Sequence, residues 1–196
     1  MRTADEARLA RANAPRLCYS DAMLRLLLLR HSKAVPFTGS GDHQRPLTER
    51  GRADAARLGA YILDEKIVPD AAIHSGAQRT KETLAIVAAK LRPRVRISVE
   101  PSLYEAGRAA FLDIVRHGPD SATSLLIVGH NPTIAEIALR LSGTGERAAM
   151  TRMAAKFPTS ALAVIAFDAD HWSEIEEGDG RLVAFATPAG LGERED

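Results

Sequence analysis

Short unbroken apolar runs alternate along this chain with longer stretches whose apolar residues return every three or four positions. The runs at 23–29, 70–74, 95–99, 124–129, 161–167 and 181–186 read as β-strands. Their continuous apolar character predicts strands buried on both faces, since a strand with one wet face would alternate. Between them, 49–64 carries a stripe of Ala55, Leu58 and Ile62, and 78–91 one of Leu84, Val87, Ala88 and Leu91. In 132–142 the stripe is Ile134, Ile137, Ala138 and Leu141, and a weaker one in 106–117 joins Phe111, Ile114 and Val115. This spacing puts each set on one face of a helix. The alternation predicts an α/β fold, a three-layer α/β/α sandwich around a mostly parallel sheet of about six strands. The last two runs are joined by a polar segment without helical pattern, which suggests an antiparallel edge hairpin or meander. Gly143-Thr144-Gly145 reads as a helix stop and turn, and Trp172 as a packing residue.

A length of 196 residues favours one domain with room for a sizeable core. The compact domain is read as 23–188, with 1–22 as an N-terminal extension and 189–196 as a frayed tail. A packed N-terminal helix is the alternative for the Ala- and Arg-rich start. With 26 basic and 25 acidic residues, the formal net charge is +1. No overall field draws such a chain to nucleic acid or to a membrane surface, so any anion site must be local. The cluster Arg92-Pro93-Arg94 with Arg96 reads as solvated charge. No apolar stretch reaches the roughly 18–20 residues of a membrane helix. Cys18 has no partner for an internal disulfide, which fits the reducing cytoplasm. The histidines show no zinc-like spacing, and neither a metal nor a cofactor is expected.

The chemistry gathers at strand ends. The first run closes in Arg30-His31, which delivers a cation and an imidazole to one strand tip, where open α/β sheets bind ligands. Arg offers a planar fork suited to phosphate, and His is a neutral nucleophile near pH 7. After the second run comes His74-Ser75-Gly76, and Arg79 then falls in the first turn of a helix, beside exposed backbone N–H groups. The alternative for Arg79 is a surface ion pair with Glu82 or Glu105, worth little. The fourth run ends in Gly129-His130, with Asn131 suited to cap the next helix and Pro132 to open it. Thr48 reads as the cap of helix 49–64, and His43, His74, His117 and His171 as surface or capping residues.

The ordered set Arg30-His31, Ser75-x-x-x-Arg79-Thr80-x-Glu82-Thr83 and Gly129-His130-Asn131 resembles the histidine phosphatase (phosphoglycerate-mutase-like) superfamily, over residues 23 to about 142. The segment Asp42-His43-Gln44-Arg45-Pro46-Leu47-Thr48-Glu49-Arg50-Gly51, with Leu103-Tyr104-Glu105-Ala106, is similar to the small SixA-type phosphohistidine phosphatases. Ser32 departs from the pattern, since most members have Gly after the Arg-His pair. The resemblance implies a phosphoglycerate-mutase-like fold with His31 as nucleophile and Arg30, Arg79 and His130 holding the phosphoryl oxygens. Arg45 is either a further phosphate contact or a structural residue. Relatives acting on phosphate esters place a Glu near Glu105 as proton donor; here Glu105 is either that acid or a partner for a pocket arginine, with water as the other proton source.

The implied activity is metal-independent hydrolysis through a covalent phosphohistidine. The substrate expected is phosphohistidine in a signalling protein, such as a histidine phosphotransfer domain. One alternative is a phosphatase for a small phosphorylated metabolite, a sugar phosphate or nucleotide. Another is a non-catalytic phosphate-binding regulatory protein. The sequence leaves the oligomeric state open.

Overall fold

The computed structural model describes residues 24–39, 41–91 and 95–192. The readings of 1–22 as an extension and of Arg92-Pro93-Arg94 as a solvated cluster lie outside the described residues. Seven strands form one sheet: β1 (Leu24–Arg30), β2 (Ala71–His74), β3 (Arg96–Val99), β4 (Ser124–Gly129), β5 (Ser142–Gly145), β6 (Leu162–Phe167) and β7 (Gly180–Ala186). Their order is β3-β2-β4-β1-β6-β7-β5. The helices are α1 (Glu49–Asp64), α2 (Gln78–Ala88), α3 (Arg108–Arg116), α4 (Thr133–Leu141) and α5 (Arg147–Ala155).

The three layers follow from the apolar runs. Leu26 and Leu28 of β1 pack with Phe111, Ile134, Ile137 and Met153 of α3, α4 and α5. Leu27 and Leu29 point the other way, into Leu58 and Ile62 of α1 and Leu84 and Val87 of α2. Successive side chains of a strand face opposite sides, so a central strand between two cores has no polar position to spare. Thr48 caps α1 by accepting from the Gly51 N–H at 3.0 Å.

Several expectations are corrected. The sheet has seven strands rather than about six, because Ser142–Gly145 forms β5, parallel to β7, where a stop and turn was expected. Two glycines in four residues erase any apolar period, yet a Cβ at Gly143 would sit 1.7 Å from the Gly178 carbonyl oxygen. β6 is no edge strand: it lies antiparallel between β1 and β7, and β5 covers β7. β3 is exposed along its whole length, as an edge strand with an uncovered face. Helix α5 escaped the pattern because only Ala149 and Met153 of it are buried; Glu146 fixes its start, accepting from the N–H groups of Ala148 and Ala149 at 2.7 Å. The tail reading shortens too, since Ala189–Leu191 makes a 3-10 turn and Leu191 packs on the α1–α2 core. Trp172 is buried, with its indole N–H on the Ala122 carbonyl at 2.8 Å.

The parallel register positions the site. Arg30 pairs with Gly129, and His74 with Val128, so β2, β4 and β1 end side by side at one carboxyl edge. The His31 N–H continues this ladder onto the Gly129 carbonyl at 3.1 Å.

Candidate active site

At that edge the structure brings together Arg30, His31, Arg79 and His130. The His31 and His130 rings lie 5.2 Å apart, centroid to centroid. Arg79 sits in the first turn of α2 at 5% exposure, which removes the surface-pair reading. Its Nη1 donates to the Asp42 carbonyl at 2.7 Å and its Nη2 to Asp42 Oδ2 at 3.1 Å. Glu82 is engaged elsewhere, with Arg52, Gln78 and the Leu47 N–H. Arg30 Nη1 donates to the Phe157 carbonyl at 2.9 Å, and Asn131 Nδ2 donates to the same oxygen at 3.0 Å. Asn131 is therefore not a helix cap; α4 opens at Thr133, after Pro132.

The two imidazoles have opposite tautomers. Nδ1 of His31 lies 2.8 Å from the Ser32 carbonyl, which can only accept, so Nδ1 carries the proton and Nε2 keeps its lone pair. Burial brings the His31 pKa down from 6.5 to about 4; the bond to Ser32 opposes this, and Arg79, Arg30 and Arg45 add to it. His31 is therefore neutral at pH 7. Nε2 of His130 lies 2.7 Å from Ser75 Oγ. Thr80 gives its hydroxyl hydrogen to the Ala77 carbonyl at 2.8 Å, so Ser75 donates to Thr80 and accepts from His130 Nε2–H. Burial, with His31 and Arg79 nearby, lowers the His130 pKa to about 3, against a smaller opposing effect of Asp42. Neutral His130 thus turns an unprotonated Nδ1 to the site.

Arg30 Nε, Arg79 Nε and His130 Nδ1 are buried without a hydrogen-bond partner in the protein. Buried polar atoms are nearly always paired, so three orphans on one constellation mark a binding site. Two are cationic N–H donors, which calls for an anion.

Sequence reasoning missed two members. Asp42 holds Arg79, accepts from Arg45 Nε at 2.7 Å and accepts from the Tyr104 hydroxyl. The Tyr104 bond, then Arg45 and Arg79, bring the Asp42 pKa down to about 2, against a partial burial effect. The Tyr104 ring packs edge-on against His130 at 5.2 Å, and the Arg79 guanidinium lies 5.5 Å from the ring centre. Both residues were in the quoted segments, but nothing in their spacing signalled a meeting 62 positions apart. The other two expected residues stand differently. Arg45 is spent on Asp42 and on the Val35 carbonyl at 2.7 Å. Glu105 follows Tyr104, is exposed and bonds to none of the site residues. Ser32, in place of glycine, is fully buried and accepts from Ser160 Oγ at 2.6 Å. His74 caps locally, taking the Gly76 N–H on Nδ1 at 3.1 Å.

The sequence profile of the Histidine phosphatase superfamily (branch 1) matches residues 26–108. The uncharacterized protein Rv1276c of Mycobacterium tuberculosis is 35% identical over 163 residues, which span 82% of this chain and 99% of that one. The chain belongs to the histidine phosphatase superfamily. Among solved structures it is similar to the SixA protein of Nakamurella multipartitia, assigned as a phosphohistidine phosphatase, at 25% identity and a TM-score of 0.74. That match covers 85% of this chain and 96% of the other. The SixA protein of Agrobacterium tumefaciens, with the same assignment, is 28% identical with a TM-score of 0.71, over 84% of this chain and 98% of its own. This histidine phosphatase is thus a phosphatase with the phosphoglycerate-mutase-like fold that the motif resemblance implied. Among the described residues no helix is long and apolar enough to cross a membrane. No group of three or more His, Cys, Asp or Glu side chains there is arranged to hold a metal ion.

Proposed function

We propose that this phosphatase works through a covalent phosphohistidine on His31 and that its substrate is phosphohistidine borne by a signalling protein. The observation that carries the nucleophile is the Nδ1 bond of His31 to the Ser32 carbonyl, which leaves Nε2 unprotonated beside two guanidinium groups. Nε2 attacks phosphorus in line. The bond from phosphorus to the substrate nitrogen breaks, and its electron pair stays with the substrate ring, which carries a solvent-derived proton on its other nitrogen and so departs as neutral imidazole. Arg30, Arg79 and His130 bear on the equatorial oxygens, where charge develops. Water then attacks the phosphoenzyme, the bond to His31 breaks, and phosphate leaves with His31 again neutral.

The leaving group supports the substrate class. An alkoxide needs a proton from a positioned acid of raised pKa. Asp42, the carboxyl bonded to Arg79, is instead held ionised by Tyr104, Arg45 and Arg79, and Glu105 bonds to none of the site residues. An imidazole leaves neutral without such an acid, because the phosphohistidine ring takes a proton from solvent on its other nitrogen. The likeness to SixA proteins assigned as phosphohistidine phosphatases supports the same reading. The test is phosphate release from a phosphohistidine-bearing phosphotransfer domain, beside a panel of sugar phosphates and nucleotides, for the wild type and His31→Ala. Fast release from phosphohistidine that vanishes in His31→Ala is expected. Preference for a metabolite ester overturns the substrate class, and full activity in His31→Ala overturns the nucleophile.

A further inference from the structure

On the opposite side of β1 from Arg79 and His130 lies a cavity of about 600 Å³ lined by Arg30, Lys33, Arg50, Arg152 and Lys156. Asp54 is the acidic residue among its lining; it is ion-paired with Arg57, and it and Arg50 each hold a further interaction within the chain. Arg30, Lys33, Arg152 and Lys156 bring four cations to one cavity beside Arg50, which is engaged within the chain, although the net charge is only +1. They come from separate parts of the fold: the end of β1, the start of α1 and the end of α5. Gly51 makes the meeting possible, because a Cβ there would sit 2.1 Å from the Lys33 carbonyl oxygen. The chain after His31 therefore packs directly on the first turn of α1 and carries Lys33 toward Arg50. Lys33 and Lys156 hold no ion pair among the described residues. Phe185 and Pro158 give the lining an apolar part, and the Phe185 ring rests against the buried Phe157 at 5.4 Å with the ring planes tilted by 52°.

Cations gathered in a concave site repel one another unless an anion joins them. The volume falls in the range of small-molecule sites, roughly 300–1,000 Å³, and exceeds what a single oxyanion fills. We infer that this cavity is a second anion site, for a small molecule bearing a chain of two or more phosphoryl groups. The ligand is either a bare phosphate chain or a nucleoside carrying one, with the nucleoside against Phe185. Arg30 is the common wall of the cavity and the reaction centre. The inference stands apart from the reading of His31, because it concerns binding rather than turnover.

Calorimetric titration of diphosphate and of a nucleoside diphosphate, ADP, into the full chain tests it. The variants are Arg152→Glu/Lys156→Glu, both exposed positions, and Arg79→Ala at the reaction centre, with unchanged melting temperature as the check of folding. Should the charge-reversed pair melt early, Arg152→Gln/Lys156→Gln replaces it. Binding is expected in the wild type, weakened by about tenfold or more in the double variant and retained in Arg79→Ala. Tighter ADP than diphosphate identifies the nucleoside form, and equal affinity the bare chain. No binding of either probe, binding unchanged in the double variant, or binding lost in Arg79→Ala overturns the inference.

Discussion

Ser75 Oγ lies 2.7 Å from Nε2 of His130, and Thr80 fixes the direction of that bond by spending its own hydrogen on the Ala77 carbonyl. Ser75 is therefore a positioning residue that selects the Nε2–H tautomer. Ser75→Ala is expected to lower kcat by roughly tenfold, the upper range for one lost hydrogen bond. The distinguishing readout is the nitrogen NMR of the His130 ring, which should show one tautomer in the wild type and a mixture in Ser75→Ala. An unchanged spectrum would remove Ser75 from this role.

His130 is neutral in the free protein, yet its Nδ1 must donate to hold a phosphoryl oxygen. An oxyanion at the site favours the imidazolium, offsetting the burial that brings the His130 pKa to about 3. Binding of tungstate as a phosphate mimic is thus expected to take up a proton near neutral pH. Calorimetry in buffers of different ionisation heat measures that uptake. It should vanish in His130→Asn; equal heats in all buffers for the wild type would contradict the coupling.

Stability follows the same two histidines. Both have folded pKa values, about 4 and about 3, below the unfolded value of 6.5. Below pH 6.5 the unfolded chain binds protons that the folded one refuses, so folding stability falls as pH drops from about 6.5 toward those values. Above that window neither group changes stability further. Melting curves from pH 8 to pH 4 should show the decline, and His31→Gln with His130→Gln should flatten it. A double variant with the wild-type slope would assign the decline to other groups.

Asp42 neutralises Arg79 while anchoring it, so its removal has two separable effects. Asp42→Asn keeps the backbone carbonyl that receives Nη1 at 2.7 Å but loses the charge that receives Nη2. Product phosphate should then bind more tightly, by about tenfold, because Arg79 and Arg45 lose their counter-ion. The kcat is expected to fall because the single amide oxygen of the variant cannot accept from Arg45, Arg79 and Tyr104 as the two carboxylate oxygens do. Inhibition by phosphate and steady-state rates separate these effects; weaker phosphate inhibition in Asp42→Asn would show that Asp42 only orients Arg79.

The sequence by itself determined the layered fold and four candidate residues at strand ends or a helix start. Leu26 to Leu29 must be apolar because β1 is covered on both faces, and that demand is written in consecutive positions. Arg30, His31, Arg79 and His130 were legible because Arg30 closes a strand, His31 and His130 follow strand ends and Arg79 lies in the first turn of a helix, all local features. β5 and α5 were less so, since a glycine-rich edge strand and a helix with two buried residues leave little period to read. Only the tertiary structure decided that Asp42 and Tyr104 join the site, and that Arg152 of α5 and the following Lys156 line one cavity with Lys33. Such meetings depend on how loops from distant elements close over the sheet edge. Charge pairing and packing select that closure only after the strands are in register, so no spacing along the chain records it.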